Sequence, residues 1–267
     1  MSSLLKRVII SLILVPLIMG VIYLPSLFIF LFLIIWMGVA NYEFLNLCDI
    51  KSSIFFIFSF AGIVFVLYTQ FKKVDFSSFF IFGYILIGVV LWSFLEGSKP
   101  TKSFLPLLFS PFYLGWLPGH ILRLKQLSFF YKNGYWLVLF PFVVTWINDT
   151  GAYFTGLWLG KHKLAPKLSP KKTWEGFLGG ILWSGAFSII YRYLFLPNFP
   201  LIGMIVSSVI LGVVAEIGDI FESGFKRERG IKDSGRIFLE HGGFLDRIDS
   251  LIFTIPTFYY FLRILIL

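Results

Sequence analysis

Charge and thiol are both in short supply in this sequence. Asp, Glu, Lys and Arg make up 14% of its 267 residues, where soluble domains carry about 25%. Hydrophobic residues reach 58%, more than a water-soluble fold can hide, so the solvent for most of this chain is lipid. The single cysteine, Cys48, excludes an intramolecular disulfide framework and any zinc site built from several thiolates. It reads as an ordinary small apolar residue. No small-residue cleavage site follows the first apolar run, and a second run begins directly after Pro25. The first run is therefore a retained span and not a secretory signal peptide. Internal repeats and low-complexity linkers are also missing.

Long apolar runs are what the chain has in abundance. Crossing about 30 Å of hydrocarbon takes about 20 mostly apolar residues. Such runs lie near 8–24, 26–42, 53–71, 76–95, 103–122, 135–159, 177–196, 200–221 and 248–266. The expected fold is all-α, a polytopic transmembrane helical bundle of about nine spans. Spans 1 and 2 form a tight hairpin at Pro25-Ser26. The fifth contains Pro106, Pro111 and Pro118, which should kink or break it.

The net charge of +9 does not point to nucleic acid, which needs a basic surface on a soluble body. With the N-terminus inside, sixteen of the 23 Lys and Arg residues fall on the inner side. That asymmetry orients the chain with its basic loops in the cytoplasm, in contact with an anionic inner leaflet. Localisation in the cell (inner) membrane is the matching expectation.

Acidic residues are spread differently. Ten of the fourteen lie between Asp149 and Asp249, dividing the chain into an apolar part, 1–134, and a chemically specialised part, 135–267. Asp149 sits inside an apolar span beside Asn148 and Thr150. Glu216, Asp219 and Glu222 recur every three residues and share one helix face. Asp246 and Asp249 repeat that spacing at the entrance to the last span. Each carboxylate in hydrocarbon costs about 2.5–3.5 kcal/mol on insertion scales. Partners are required, either basic side chains in an ion-pair network or a hard cation such as Mg²⁺ bound with substrate phosphates.

Two basic loops lie near these acids in sequence. The first runs from Lys161 to Gly176 and holds Lys167, Ser169, Lys171, Lys172, Thr173 and Glu175. Ser169 or Thr173 can cap the helix that follows, whose free N–H groups favour anions. A positive-inside loop with a good cap explains the same residues more plainly. Gly156 to His162 is not a phosphate loop, since three residues separate Gly156 from Gly160 where that motif needs four. Gly156-x-x-x-Gly160 and Gly176-x-x-x-Gly180 read as close helix contacts. The second loop, Ser223 to Asp249, is dense in both signs, and Gly242-Gly243 allows close backbone approach to a ligand. His241 beside it can serve a phosphate or a proton, or be an ordinary solvated histidine. His120 and His162 carry no functional expectation.

This second loop resembles the signature of the phosphatidate cytidylyltransferase (CDP-diacylglycerol synthase) family. Ser223, Lys226-Arg227, Lys232-Asp233, His241-Gly242-Gly243 and Asp246-Arg247-Ile248-Asp249 fill that pattern in register, with Leu239 where Pro or Gly is usual. Ser169-Pro170 to Gly176 and Asn148 to Tyr153 resemble two further segments of the family. The resemblance implies transfer of a cytidylyl group from CTP to phosphatidate in phospholipid biosynthesis, dependent on Mg²⁺. It leaves room for a second cation and for a homodimer.

It also implies a site. Asp219, Asp246 and Asp249 would be the principal metal ligands, with Asp149 a further candidate. Lys226, Asp246 and Asp249 would be catalytic. Lys167, Ser169, Lys171, Lys172, Thr173, Glu175, Ser223, Arg227, Lys232, Asp233, His241, Gly242, Gly243 and Arg247 would bind substrates. Rival readings are an ion-coupled transporter, a relative using another lipid phosphate, and a non-catalytic lipid-binding scaffold.

Overall fold

The computed structural model describes residues 3–74, 83–90, 100–235, 237 and 242–266. It contains α1 (Ser3–Tyr23), α2 (Ser26–Leu47), α3 (Ser53–Lys72), α4 (83–90) and α5 (Pro100–Ser110). A π-helical stretch, Pro111–Trp116, leads into α6 (Leu117–Ser128), α7 (Gly134–Leu159) and a short hairpin, β1 (Lys163–Ala165) and β2 (Ser169–Thr173). Then come α8 (Trp174–Phe195), α9 (Leu201–Glu228), a 3-10 turn at Leu245–Arg247 and α10 (Leu251–Ile266). The all-α expectation holds apart from the hairpin. The expected fourth span, 76–95, lies outside the described residues except for α4.

Among the described residues, four helices, α2, α3, α7 and α9, are long and apolar enough to cross a membrane, and Leu12–Tyr23 and Leu251–Leu265 are shorter apolar helices. The protein is an integral membrane protein. Exposed Leu, Ile, Phe and Trp side chains along these helices, such as Ile35, Ile57, Leu157 and Ile202, are what lipid-facing surfaces require.

The chain divides into two compact units, Met1–Arg123 with Glu228–Arg247, and Leu124–Arg227 with Ile248–Leu267. Most of the second basic loop therefore belongs with the N-terminal helices.

In the first unit a buried polar chain ties three helices together. Ser110 Oγ donates to Asn41 Oδ1 at 2.8 Å, and Asn41 Nδ2 donates to Ser59 Oγ at 2.9 Å. The Ser59 hydroxyl donates in turn to the Phe56 carbonyl. A fully satisfied network of this kind is tolerated in an apolar core, whereas a half-satisfied one is costly. The proline-rich run stays helical but changes pitch. Pro111 has no N–H to return to the Leu107 carbonyl four residues back, and the Tyr84 hydroxyl donates to that carbonyl instead, at 3.1 Å. The helix then proceeds in π geometry, with the Leu117 N–H reaching the Phe112 carbonyl.

In the second unit α7 and α8 pack along their length. The glycine pattern expected to allow this does so. A Cβ on Gly180 would meet the Asn148 carbonyl at 2.7 Å, and one on Gly176 the Ala152 carbonyl at 2.8 Å. Because the obstacle is backbone, it cannot swing aside. Gly180→Ala should cost about 1–3 kcal/mol through overpacking, read as a lower thermal midpoint in detergent. An unchanged midpoint would mean that α8 does not approach α7 so closely.

Candidate functional site

Within the second unit, an acidic centre forms where α7, the hairpin, α9 and the start of α10 meet. Thr173 ends β2 and caps α8, its hydroxyl accepting from the Gly176 N–H at 3.1 Å. Strand alternation then sorts the neighbouring side chains: Lys171 is exposed, whereas Lys172 turns inward. The Lys172 ammonium lies 2.7 Å from Glu216 Oε1 and 2.8 Å from Asp219 Oδ2. Burial alone would lower its proton affinity, but Asp219 and Glu216 outweigh that and hold Lys172 above the ordinary lysine value.

Glu216 and Asp219 come from one face of α9, as their spacing predicts. Asp149 of α7, whose side chain is accessible, lies within electrostatic range of Asp249, Lys172, Asp219 and Glu216. Asp249 is fixed just before α10. Its Oδ1 accepts the Ser250 N–H at 2.7 Å, and the Ser250 hydroxyl donates to the Ala215 carbonyl of α9 at 2.9 Å. Ser223 adds a hydroxyl bonded to Asp219 Oδ1 at 3.3 Å. Three of the four expected metal ligands, Asp149, Asp219 and Asp249, thus gather with Lys172 and Glu216.

Further along α9, Lys226 is buried and paired with Glu222 at 3.3 Å, one turn earlier. Arg227 is exposed, and its Nε donates to the Leu168 carbonyl at 3.0 Å, tying α9 to the hairpin turn. Lys167 is exposed and Ser169 half-buried. Glu175 takes a role that composition did not suggest. It accepts the Lys161 and His162 N–H groups at 3.0 and 3.2 Å and lies 2.6 Å from His162 Nδ1. A residue left without functional expectation, His162, is therefore half of the hairpin's anchor.

The fourth expected ligand, Asp246, belongs to the first unit. Its Oδ2 accepts the Ser234 N–H and hydroxyl, both at 2.8 Å, and the Gly243 N–H at 2.7 Å. Three donors thus converge on one oxygen of Asp246. Lys232 and Asp233 are exposed, Arg247 is half-buried, and Gly242 adopts φ +76°, open in practice to glycine. His241 lies outside the described residues, as does Leu239.

Among the described residues, no three His, Cys, Asp or Glu side chains already enclose a metal position. The donor chemistry nevertheless fits Mg²⁺, which takes one or two carboxylates and completes its shell with water and substrate phosphate. An ammonium held between two carboxylates shows that the local field favours cations.

Comparison with known proteins decides the family. A family model described as "Cytidylyltransferase family" matches residues 5–265. The chain belongs to the cytidylyltransferase family. A phosphatidate cytidylyltransferase of Staphylococcus saprophyticus is 36% identical over 219 residues, covering 82% of this chain and 83% of the relative. One from Haemophilus influenzae is 37% identical over 233 residues, covering 78% and 79%. Membership extends through both units of this cytidylyltransferase, so the N-terminal helices, which hydropathy alone had matched, belong to the family fold.

Two outcomes check this geometry. Lys172→Met strands the buried Glu216 and should destabilise the protein by about 3 kcal/mol, the lower end for a broken buried pair because Lys172 keeps some exposure. Adding Glu216→Gln should restore more than half, as read by unfolding in detergent; additive losses would dissolve the pair. Second, the His162 contact and the two N–H groups hold the Glu175 carboxyl down to about 2 from 4.5. Its anchoring is complete above pH 4.5 and fades as pH falls toward 2. Intrinsic-rate-corrected hydrogen exchange at Lys161 and His162 should accelerate over that window, whereas pH-independent exchange would deny Glu175 the role.

Proposed function

We propose that this cytidylyltransferase makes CDP-diacylglycerol and pyrophosphate from CTP and phosphatidate, as the names of its relatives indicate for them. The family match along residues 5–265 carries the reading, and the acidic centre supplies a place for the chemistry.

A phosphate oxygen of phosphatidate attacks the α-phosphorus of CTP. A new O–P bond forms as the bond to the β-phosphate oxygen breaks, and pyrophosphate leaves with the electron pair. Phosphatidate already carries its oxyanion, so no covalent enzyme intermediate is needed. Both reactants are anionic, and most of the barrier is their mutual repulsion and misalignment. When bound, Mg²⁺ would neutralise phosphate charge in the transition state.

Asp219 and Asp249 are the residues we assign to hold it, with Asp149 near them; the resemblance to the family signature adds Asp246 to the assignment. A second cation can share so acidic a centre. Lys172 brings a fixed positive charge to the same point. Lys226 and Arg227 line the end of α9, where Lys226 neutralises phosphate. Lys167 and Lys171 offer exposed ammonium groups to the triphosphate, and Ser169, Thr173 and Ser223 add hydroxyl contacts; on the resemblance alone, Lys232, Asp233, His241, Gly242, Gly243 and Arg247 are also assigned to substrate. Glu175 keeps the hairpin in place.

About nine membrane crossings, an inner-membrane location and a cytoplasmic centre complete the proposal. Their support is the bias of basic loops to one side and the origin of CTP in the cytoplasm. A homodimer is consistent with it.

Purified protein given labelled CTP and phosphatidate in Mg²⁺ should release one pyrophosphate per CDP-diacylglycerol formed, and a chelator should stop it. Asp219→Asn and Asp249→Asn should each lower turnover about 100-fold or more. Absence of pyrophosphate release overturns the reading. Equal use of a different lipid phosphate would correct the acceptor.

A further inference from the structure

The N-terminal helices hold an acid that no motif claims. Glu43 of α2 is 3% exposed, in a helix apolar enough to cross a membrane. A carboxylate there is costly unless it is well supplied with donors. Three donors reach it from a segment about 200 residues further along the chain. Ser234 Oγ donates to Oε2 at 3.0 Å, the Leu245 N–H to Oε2 at 2.9 Å and the Phe244 N–H to Oε1 at 3.1 Å. Trp36, two turns earlier on the same helix face, packs edge-on against the Phe244 ring with centroids 4.6 Å apart.

The segment is shaped to receive this carboxylate. A Cβ on Gly243 would collide with the Glu43 carboxylate, and one on Gly242 with that of Asp246. The Gly-Gly pair of the signature thus leaves room for two carboxylates. The Ser234 hydroxyl reaches both acids, Glu43 at 3.0 Å and Asp246 at 2.8 Å. It has a single proton to give, so the two acids form one network, and a change at Glu43 is felt at Asp246.

We propose that Glu43 is a positioning residue for the cytidylyl transfer. It clamps Ser234 and Phe244-Leu245 so that Asp246 and the motif around it keep their working geometry. The role rests on the function proposed above, but the clamp itself can be tested without it. Glu43 touches no reacting atom and acts through Ser234 and the loop backbone. Supporting groups of this kind are typically worth 10–100-fold in activity or metal affinity.

The test uses Glu43→Gln in the full-length protein. An amide keeps the shape but turns an N–H₂ toward groups that are themselves donors. Turnover per folded molecule should fall about 10–100-fold. Hydrogen exchange of peptides containing Phe244 and Leu245 should accelerate at least about tenfold, whereas those from α3 and α7 should not change. Ser234→Ala, a milder lesion, should shift both readouts in the same direction. The double variant should lose less than the two singles combined, because both break one network.

Unchanged exchange at Phe244-Leu245 would overturn the proposal. So would acceleration spread equally over α3 and α7, which would make Glu43 a general stabilising residue, or strictly additive losses. If wild-type protein does not consume CTP, the functional reading falls, and the exchange arm still decides whether Glu43 clamps the loop.

Discussion

A carboxylate at membrane depth must find a cation or a set of hydrogen-bond donors, and this requirement organises both units of the protein. In the second unit the cation is Lys172, delivered between Glu216 and Asp219 by a two-stranded hairpin. In the first, Glu43 and Asp246 are satisfied by backbone N–H groups and one serine hydroxyl. The two solutions suit different tasks. A salt-bridged centre keeps a strong, cation-favouring field. A carboxylate ringed by N–H groups fixes the path of the backbone.

The hairpin shows how local sequence serves the centre. The Glu175–His162 contact and the Thr173 cap hold its open end, and its turn is held by Arg227. Fixed at three points, β2 has little freedom, and strand alternation then sends Lys172 inward while Lys171 stays in water. Phosphoryl chemistry between two anions needs charges that are already in place before substrate arrives, since rearranging them during reaction would add to the barrier.

Much of this could be read from the residues. Apolar runs located α3, α7, α8 and α10 closely, because length and hydropathy are properties of the segment itself, but they stopped short of the start of α1 and of the polar ends of α2 and α9. The Thr173 cap and the α7–α8 glycine contacts were also legible, since both depend on short spacings. The i, i+3 repeat placed Glu216 and Asp219 on one face. What escaped detection depends on partners distant in sequence. Nothing local to Glu43 announces Ser234 or Leu245. The hairpin was read as a loop, because its strands are short and lysine-rich and show no apolar alternation. The π-helical stretch was anticipated only as a kink at proline. Among the described residues, four helices satisfy the length and hydropathy of a span. A segment such as α5 to α6, with its prolines and basic residues, is apolar overall without being one uninterrupted run.

The central claim is that Asp219 and Asp249, with Asp149, make a centre for a divalent cation that is completed by nucleotide phosphate. Paramagnetic resonance of Mn²⁺, a stand-in for Mg²⁺, measures this directly in purified protein. Mn²⁺ should bind, gain affinity when CTP is added, and fail to bind in Asp219→Asn. Equal Mn²⁺ binding by wild type and variant, with or without CTP, would contradict it.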